Sequence, residues 1–127
     1  LPRRYAHAVE FRDVSWLDEE VMSVLRRVGV SSVAMSSRGM PENRVLTAKT
    51  AYVRFHGLEG GAAHDYTDEE LVPWARWLRS IARRGHDAFV FFNNDVSVRA
   101  PKNALTLMDM LGAYAVRPSA QALSRAA

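Results

Sequence analysis

The sequence has no cysteine, no long apolar run and no initiator methionine, and each absence narrows the kind of protein it can be. Without cysteine, the 127 residues can form neither a disulfide nor a thiolate metal cluster. The apolar runs are a few residues long, far below the roughly 20 that span a bilayer, and no charged-then-apolar signal segment opens the chain. We therefore expect a soluble cytoplasmic protein with one domain and no membrane partner. Because the chain starts at Leu1, we also expect a truncated fragment or a processed product.

Lysine is scarce as well, so the positive charge comes almost entirely from arginine. Of the 17 basic residues, 15 are arginine, and the net charge is +3. Such an excess is compatible with a nucleic-acid partner, but it is a weak signal when it is spread over many elements. A nucleic-acid-binding module is therefore an alternative interpretation, which a steep fall of affinity with salt would identify.

Hydrophobic patterns predict four strands that alternate with helices or loops. The predicted strands span residues 5–11, 30–35, 51–57 and 88–92. Helices are predicted to begin at Asp18, at Thr67 and at Pro101, and residues 36–50 form a long loop that either carries function or replaces a helix. This order predicts an α/β fold with a parallel sheet.

The helix at Thr67 and the end of the fold carry local signals. Thr67 and Glu70 form a capping box. Pro73 lies past the first turn, so we expect it to kink the helix or to shift its effective start. Gly112 closes the predicted domain at residues 1–112, and residues 113–127 are predicted to be a tail that is either frayed or a short terminal helix.

The third predicted strand, residues 51–57, places charged groups on one face. Tyr52, Arg54 and His56 share that face at period two. If both faces of the strand are covered, Arg54 needs a carboxylate or another acceptor inside the fold. In an eight-stranded barrel, alternate strands contribute to the same interior layer. Glu10, on the first predicted strand, is therefore predicted to meet Arg54 as a buried ion pair.

Polar side chains gather where the predicted strands end. They are Glu10, Arg12, His56, Asn93, Asn94 and Asp95. In parallel α/β folds, the carboxyl ends of the strands form the edge where ligands bind. The sequence therefore predicts a ligand site at this edge of the sheet.

Four segments carry a family resemblance, in the right order and spacing. They are Ala8-Val-Glu-Phe-Arg12 with Ser15-Trp16, Tyr52-Val-Arg-Phe-His-Gly57, Tyr66-Thr-Asp-Glu-Glu-Leu71, and Phe92-Asn-Asn-Asp95 with Ala100-Pro-Lys-Asn-Ala104. Over residues 5 to 111 the chain resembles the YecE-like family, a family of unknown function with a TIM-barrel fold.

The resemblance implies that the chain is a parallel-stranded (β/α) half-barrel, the last four βα units of a TIM-barrel-like fold. The family's amino-terminal half, with its Gly-Thr-Ser-Gly-Trp opening, has no counterpart here. Four strands cannot close a barrel that needs eight, so two sheet edges remain open. We expect the missing half or a second copy of the chain to cover them.

Roles for individual residues follow from these positions. His56, Glu10 and Asp95 are the predicted catalytic residues, although Glu10 with Arg54 also fits a purely structural pair and His56 a hydrogen-bonded structural histidine. A metal held by these three catalytic candidates is less favoured, so no metal ligand is assigned, and no cofactor is identified. The predicted ligand-binding residues are Arg12, Arg54, Asn93, Asn94, Lys102 and Asn103. Of these, Lys102 and Asn103 lie in the first turn of the last predicted helix, where free backbone amides attract anions.

The leading hypothesis for function is a site at the barrel mouth that binds a small anionic ligand, phosphorylated or sugar-like. A hydrolase or an isomerase of unknown substrate is compatible with it. The alternatives are the nucleic-acid-binding module and an inert or oligomerising half-barrel fragment. Saturable binding of a small anion that Arg54→Ala abolishes would favour the leading hypothesis.

Overall fold

The strands form a parallel sheet whose order follows the order of the chain. In the computed structural model, residue 2 and residues 4–117 are described. The strands are β1 (His7–Val9), β2 (Val30–Ser37), β3 (Thr50–Gly57) and β4 (Asp87–Phe92). Each pairs in parallel with the next, in the order β1-β2-β3-β4. This confirms the predicted parallel α/β arrangement.

The first two helices begin at locally encoded caps. They are α1 (Glu19–Val28), α2 (Asp68–Arg83) and α3 (Arg99–Leu111). The Asp18 side chain accepts a hydrogen bond from the Val21 amide at 2.9 Å, and Gly29 follows α1 in the left-handed conformation. At α2, Thr67 and Glu70 form the predicted capping box.

Three predicted boundaries differ from the structure. β1 is shorter than predicted because its pairing with β2 begins at His7 opposite Val30, the first residue of β2. The start of α2 is not shifted, since the helix begins at Asp68 and continues through Pro73, which lies on the solvent side. The third difference is in α3, which begins at Arg99 without a side-chain cap, two residues before Pro101. The predicted tail lies mostly outside the described residues, which end at residue 117.

The hydrophobic core lies between the sheet and helices α2 and α3. Val53 and Phe55 of β3 are fully buried, as are Trp74 and Ile81 of α2. The Phe55 ring stacks on the Phe92 ring with centroids 4.3 Å apart. This packing stabilises the face of β3 that does not carry Arg54.

The opposite face of the sheet carries aromatic side chains that are open to solvent. Phe89 and Phe91 of β4 are 58% and 43% exposed. The Phe91 ring stacks on Tyr52, with centroids 4.9 Å apart. Within the described part of the chain, β4 pairs with β3 alone, so its other edge is unpaired. None of the helices between residues 4 and 117 combines the length and hydrophobicity that crossing a membrane requires.

Candidate functional site

The predicted Glu10–Arg54 ion pair forms on the face of the sheet opposite the core. Arg54 Nη1 lies 2.9 Å from Glu10 Oε2, and the Glu10 side chain is 13% exposed. Ala8 pairs with Ser31 and Met35 pairs with Arg54, and in parallel strands paired residues point to the same face. Glu10, two residues after Ala8, therefore lies on the Arg54 face. This confirms the predicted pairing.

Asn93 holds the guanidinium of Arg54 from the other side. Its Oδ1 accepts hydrogen bonds from Arg54 Nε at 3.1 Å and from Arg54 Nη2 at 3.0 Å. The register explains the contact, because Arg54 is opposite Phe91, and Asn93 follows Phe91 by two residues on the same face. The Asn93 amide also donates to the Phe55 carbonyl at 2.8 Å, which extends the β3–β4 pairing by one bond.

His56 lies beside this pair on the same face of β3. Its Nε2 is 3.4 Å from Glu10 Oε1 without the geometry of a hydrogen bond, and its side chain is 17% exposed. Burial lowers the pKa of His56 and the nearby Arg54 charge lowers it further, against the opposing effect of Glu10. A pKa lowered in this way favours the neutral imidazole at neutral pH.

Arg12 gives the cluster its second guanidinium. It forms an ion pair with Glu10 Oε1, while 64% of its side chain remains exposed. Two guanidinium groups thus share one carboxylate, and His56 adds no charge when it is neutral. The cluster of Glu10, Arg12, Arg54, His56 and Asn93, the Arg54 cluster hereafter, carries a net charge of +1. Such a cluster favours an anionic ligand.

The other predicted ligand-binding residues belong to a separate polar network on the helix side of the sheet. Asn94 is fully buried, and its Nδ2 donates to the His64 carbonyl at 2.8 Å and to Asn103 Oδ1 at 2.7 Å. Asn103 Nδ2 donates to Asp65 Oδ1 at 2.9 Å, and Lys102 Nζ lies 3.3 Å from Asp65 Oδ2. Asn94, Lys102 and Asn103 are therefore engaged with the protein and do not join the Arg54 cluster.

Asp95 is exposed and precedes a short 3-10 helix, Val96–Val98. Its carbonyl accepts a hydrogen bond from the Val98 amide at 3.2 Å. Among the described residues, it makes no side-chain contact with Glu10 or His56, and no group of three or more acidic or histidine side chains is arranged to hold a metal ion. The structure thus brings together two of the three predicted catalytic residues.

Tyr66 and His64 form contacts near the site that the sequence did not predict. The Tyr66 hydroxyl accepts from the Gly57 amide at 2.9 Å and lies 3.0 Å from Ser36 Oγ. Burial raises the pKa of Tyr66. His64 Nε2 lies 3.0 Å from Glu70 Oε2, next to the capping box. No local pattern predicts the Tyr66–Ser36 contact, because the two residues are 30 positions apart in the chain.

Comparison with known proteins gives a consistent family match. A family model described as "Protein of unknown function DUF72" matches residues 1–126. The UPF0759 protein YunF of Bacillus subtilis (strain 168) is 27% identical over 135 residues, which cover 82% of this chain and 46% of YunF.

Two solved structures show the same fold. A DUF72 family protein (TM1631) from Thermotoga maritima MSB8 matches with a TM-score of 0.78 and 32% identity, covering 86% of this chain and 48% of that one. A DUF72 family protein (EF0366) from Enterococcus faecalis V583 matches with a TM-score of 0.77 and 19% identity, covering 90% and 50%. The chain spans about half the length of these relatives.

Proposed function

The chain belongs to the DUF72 family of proteins of unknown function, and we propose that its Arg54 cluster binds a phosphorylated or sugar-like ligand through an anionic group of that ligand. One observation carries the proposal. Arg54 and Arg12 both contact the single carboxylate of Glu10, beside a half-buried neutral histidine. The excess positive charge therefore sits where part of it is shielded from water, and a bound anion would neutralise it.

The hydrogen-bonding capacity of Arg54 supports the same assignment. A guanidinium has five N–H donors, two of them on each terminal nitrogen. Nη1 is bonded to Glu10 and Nη2 to Asn93, so within residues 4–117 each keeps one N–H without a partner. Two free N–H groups on a partly exposed guanidinium match two oxygens of a phosphate or a carboxylate. We assign ligand binding to Arg54, Arg12 and Asn93.

We assign proton transfer to His56 with Glu10 beside it. A neutral imidazole accepts a proton at neutral pH, which is the state that general base catalysis requires. The adjacent carboxylate would stabilise the imidazolium that forms. A hydrolase or an isomerase reaction would use the pair in this way.

Binding of inorganic phosphate, followed by calorimetry, tests the proposed ligand class. We expect saturable binding to the wild-type chain and a loss of affinity of about 10- to 100-fold in Arg54→Ala, because the variant loses charge-assisted hydrogen bonds worth about 1.5–3 kcal/mol. Arg26→Ala is the matched control. It removes the same charge from an exposed pair with Glu19 on α1 and should keep the wild-type affinity.

Equal losses in both variants would contradict a specific site and indicate a diffuse charge effect. The absence of saturable binding by the wild-type chain would refute the proposal. DNA binding that falls steeply with salt, without phosphate binding, would favour the nucleic-acid alternative.

We further propose that residues 1–112 are the last four βα units of a TIM-barrel-like domain in the cytoplasm, followed by a tail at residues 113–127. The parallel strand order and the match to about half of each relative support this. The exposed Phe89 and Phe91, together with an apolar groove of about 680 Å³ beside β4, supply surface for a covering partner. That partner is the remaining half of the barrel or a second copy of the chain.

A further inference from the structure

We propose that the buried Asn94 positions Asn93, and through it the Arg54 guanidinium, so that Asn94 is a positioning residue of the anion site. This inference rests on the function proposed above. Asn94 cannot touch a ligand at the Arg54 cluster, because its side chain is fully buried on the other side of the sheet.

Adjacent residues at the end of β4 point to opposite sides of the sheet. Asn93 faces Arg54 and accepts two of its N–H groups. Asn94 faces the helices, where its Nδ2 donates to the His64 carbonyl at 2.8 Å and to Asn103 Oδ1 at 2.7 Å. One backbone segment therefore carries both the contact to the site and the anchor that holds it.

The anchor is itself fixed at several points. Asn103 Oδ1 also accepts from the Tyr66 amide at 3.2 Å, and Asn103 Nδ2 donates to the Tyr66 carbonyl at 3.2 Å and to Asp65 Oδ1 at 2.9 Å. These bonds connect the start of α3 with the segment that leads into α2. Asn94 ties the end of β4 to both, so its position is set by α3 and by the segment before α2.

The backbone beyond Asn94 needs such an anchor because it is strained. Ser97 and Val98 have φ angles of 60° and 61°, in the left-handed region. Non-glycine residues are disfavoured in this conformation, and a β-branched residue such as valine rarely adopts it. Without the bonds of Asn94, the segment from residue 94 to residue 98 can relax, and the Asn93 side chain shifts with it although the Asn93 amide stays bonded to the Phe55 carbonyl.

Among the described residues, the Arg54 side chain makes three hydrogen bonds, and two of them go to Asn93. If Asn93 moves, only Glu10 holds the guanidinium, which can then rotate about that contact. A mobile guanidinium presents a less preorganised pair of donors to an anion. It also spends less time beside His56, whose pKa the Arg54 charge lowers.

The test is the titration of His56 by NMR, together with phosphate affinity, in Asn93→Ala, Asn94→Ala and the double variant. We expect both single variants to raise the pKa of His56 and to weaken phosphate binding by a similar factor of about 3 to 10. The double variant should do no more than Asn93→Ala alone, because Asn94 acts through Asn93. Arg26→Ala, which removes an exposed ion pair with Glu19 on α1, should change neither quantity.

An unchanged His56 titration in folded Asn94→Ala, alongside a shift in Asn93→Ala, would overturn the inference. So would additive effects in the double variant. If Asn94→Ala does not fold, Asp65→Ala removes the carboxylate that accepts from Asn103 Nδ2 and should raise the pKa of His56 by a smaller amount. An unchanged titration in that variant overturns the inference. If the wild-type chain binds no phosphate, the proposed function fails, while the His56 titration still decides whether Asn94 positions Arg54.

Discussion

His56 makes the stability of the fold depend on pH. Its pKa in the folded chain is lowered from about 6.5, chiefly by burial. The unfolded chain therefore binds the proton more readily, and the free energy of unfolding falls as the pH drops below about 6.5 towards the lowered folded value. Above about pH 6.5 the neutral ring contributes no further pH dependence.

We expect His56→Gln to reduce this fall in stability, because glutamine does not titrate. The difference between the free energies of unfolding at pH 7.5 and at pH 5.5, each measured by urea unfolding, gives the size of this fall. His86→Gln removes a different imidazole, bonded to the Lys49 carbonyl at 3.0 Å, and should retain the fall because His56 is still present. The same loss on acidification in wild type and His56→Gln would show that the burial of His56 has no such effect.

At the scale of the elements, the junction between β3 and the loop after it depends on Gly57. The residue has a φ of 89°, and a Cβ atom placed there would lie 1.8 Å from the Gly61 carbonyl oxygen. We expect Gly57→Ala to lower the free energy of unfolding by about 3 kcal/mol or more, because the clash adds to the left-handed backbone cost of about 1–2 kcal/mol. Gly39→Ala is the matched control, since Gly39 also has a positive φ of 78° but nothing lies within 4 Å of its Cβ position. Urea unfolding that gives the same loss in both variants would rule out the clash.

Features encoded by neighbouring residues could be predicted from the sequence. The helix start at Asp18 and the capping box at Thr67 each depend on a few adjacent residues, and the structure confirms them. The Glu10–Arg54 pair was also predictable, because period two and the order of the strands place the two side chains on one face.

Features that depend on what packs against an element could not be predicted. The length of β1 is set by where β2 begins. The apolar residues of β4 indicate burial, but they do not identify the chain segment that buries them. The prediction that placed Asn93 and Asn94 in one ligand site is a different case, because the sequence already contained the signal that separates them. Strand alternation alone separates adjacent side chains, so this signal was present in the sequence and assigns Asn94 to the helix side.

For the molecule as a whole, the uncovered aromatic face predicts association. Phe89 and Phe91 are 58% and 43% exposed, beside a strand edge that no residue of the described part of the chain pairs. Such a surface favours pairing with another chain. We expect light scattering on the purified chain to give the mass of a dimer or a larger species. Phe89→Glu should shift the population towards monomer, whereas Leu105→Glu, at an exposed position on α3, should not. A wild-type monomer with a fixed near-ultraviolet circular dichroism signal would contradict the need for a covering partner.

The order of the sheet has a consequence for how such chains can change length. Over the described residues, each strand pairs only with its neighbour in the chain. A break between residues 38 and 49 therefore separates β2 from β3 and leaves the β1–β2 and β3–β4 pairings within intact pieces. A strand with its helix can be added at either end while every existing pair of strands keeps its hydrogen bonds. An end strand can also be lost while the remaining pairs keep theirs. Duplication and loss of whole strand-helix units are therefore the changes in gene length that this sheet accommodates with the least rearrangement.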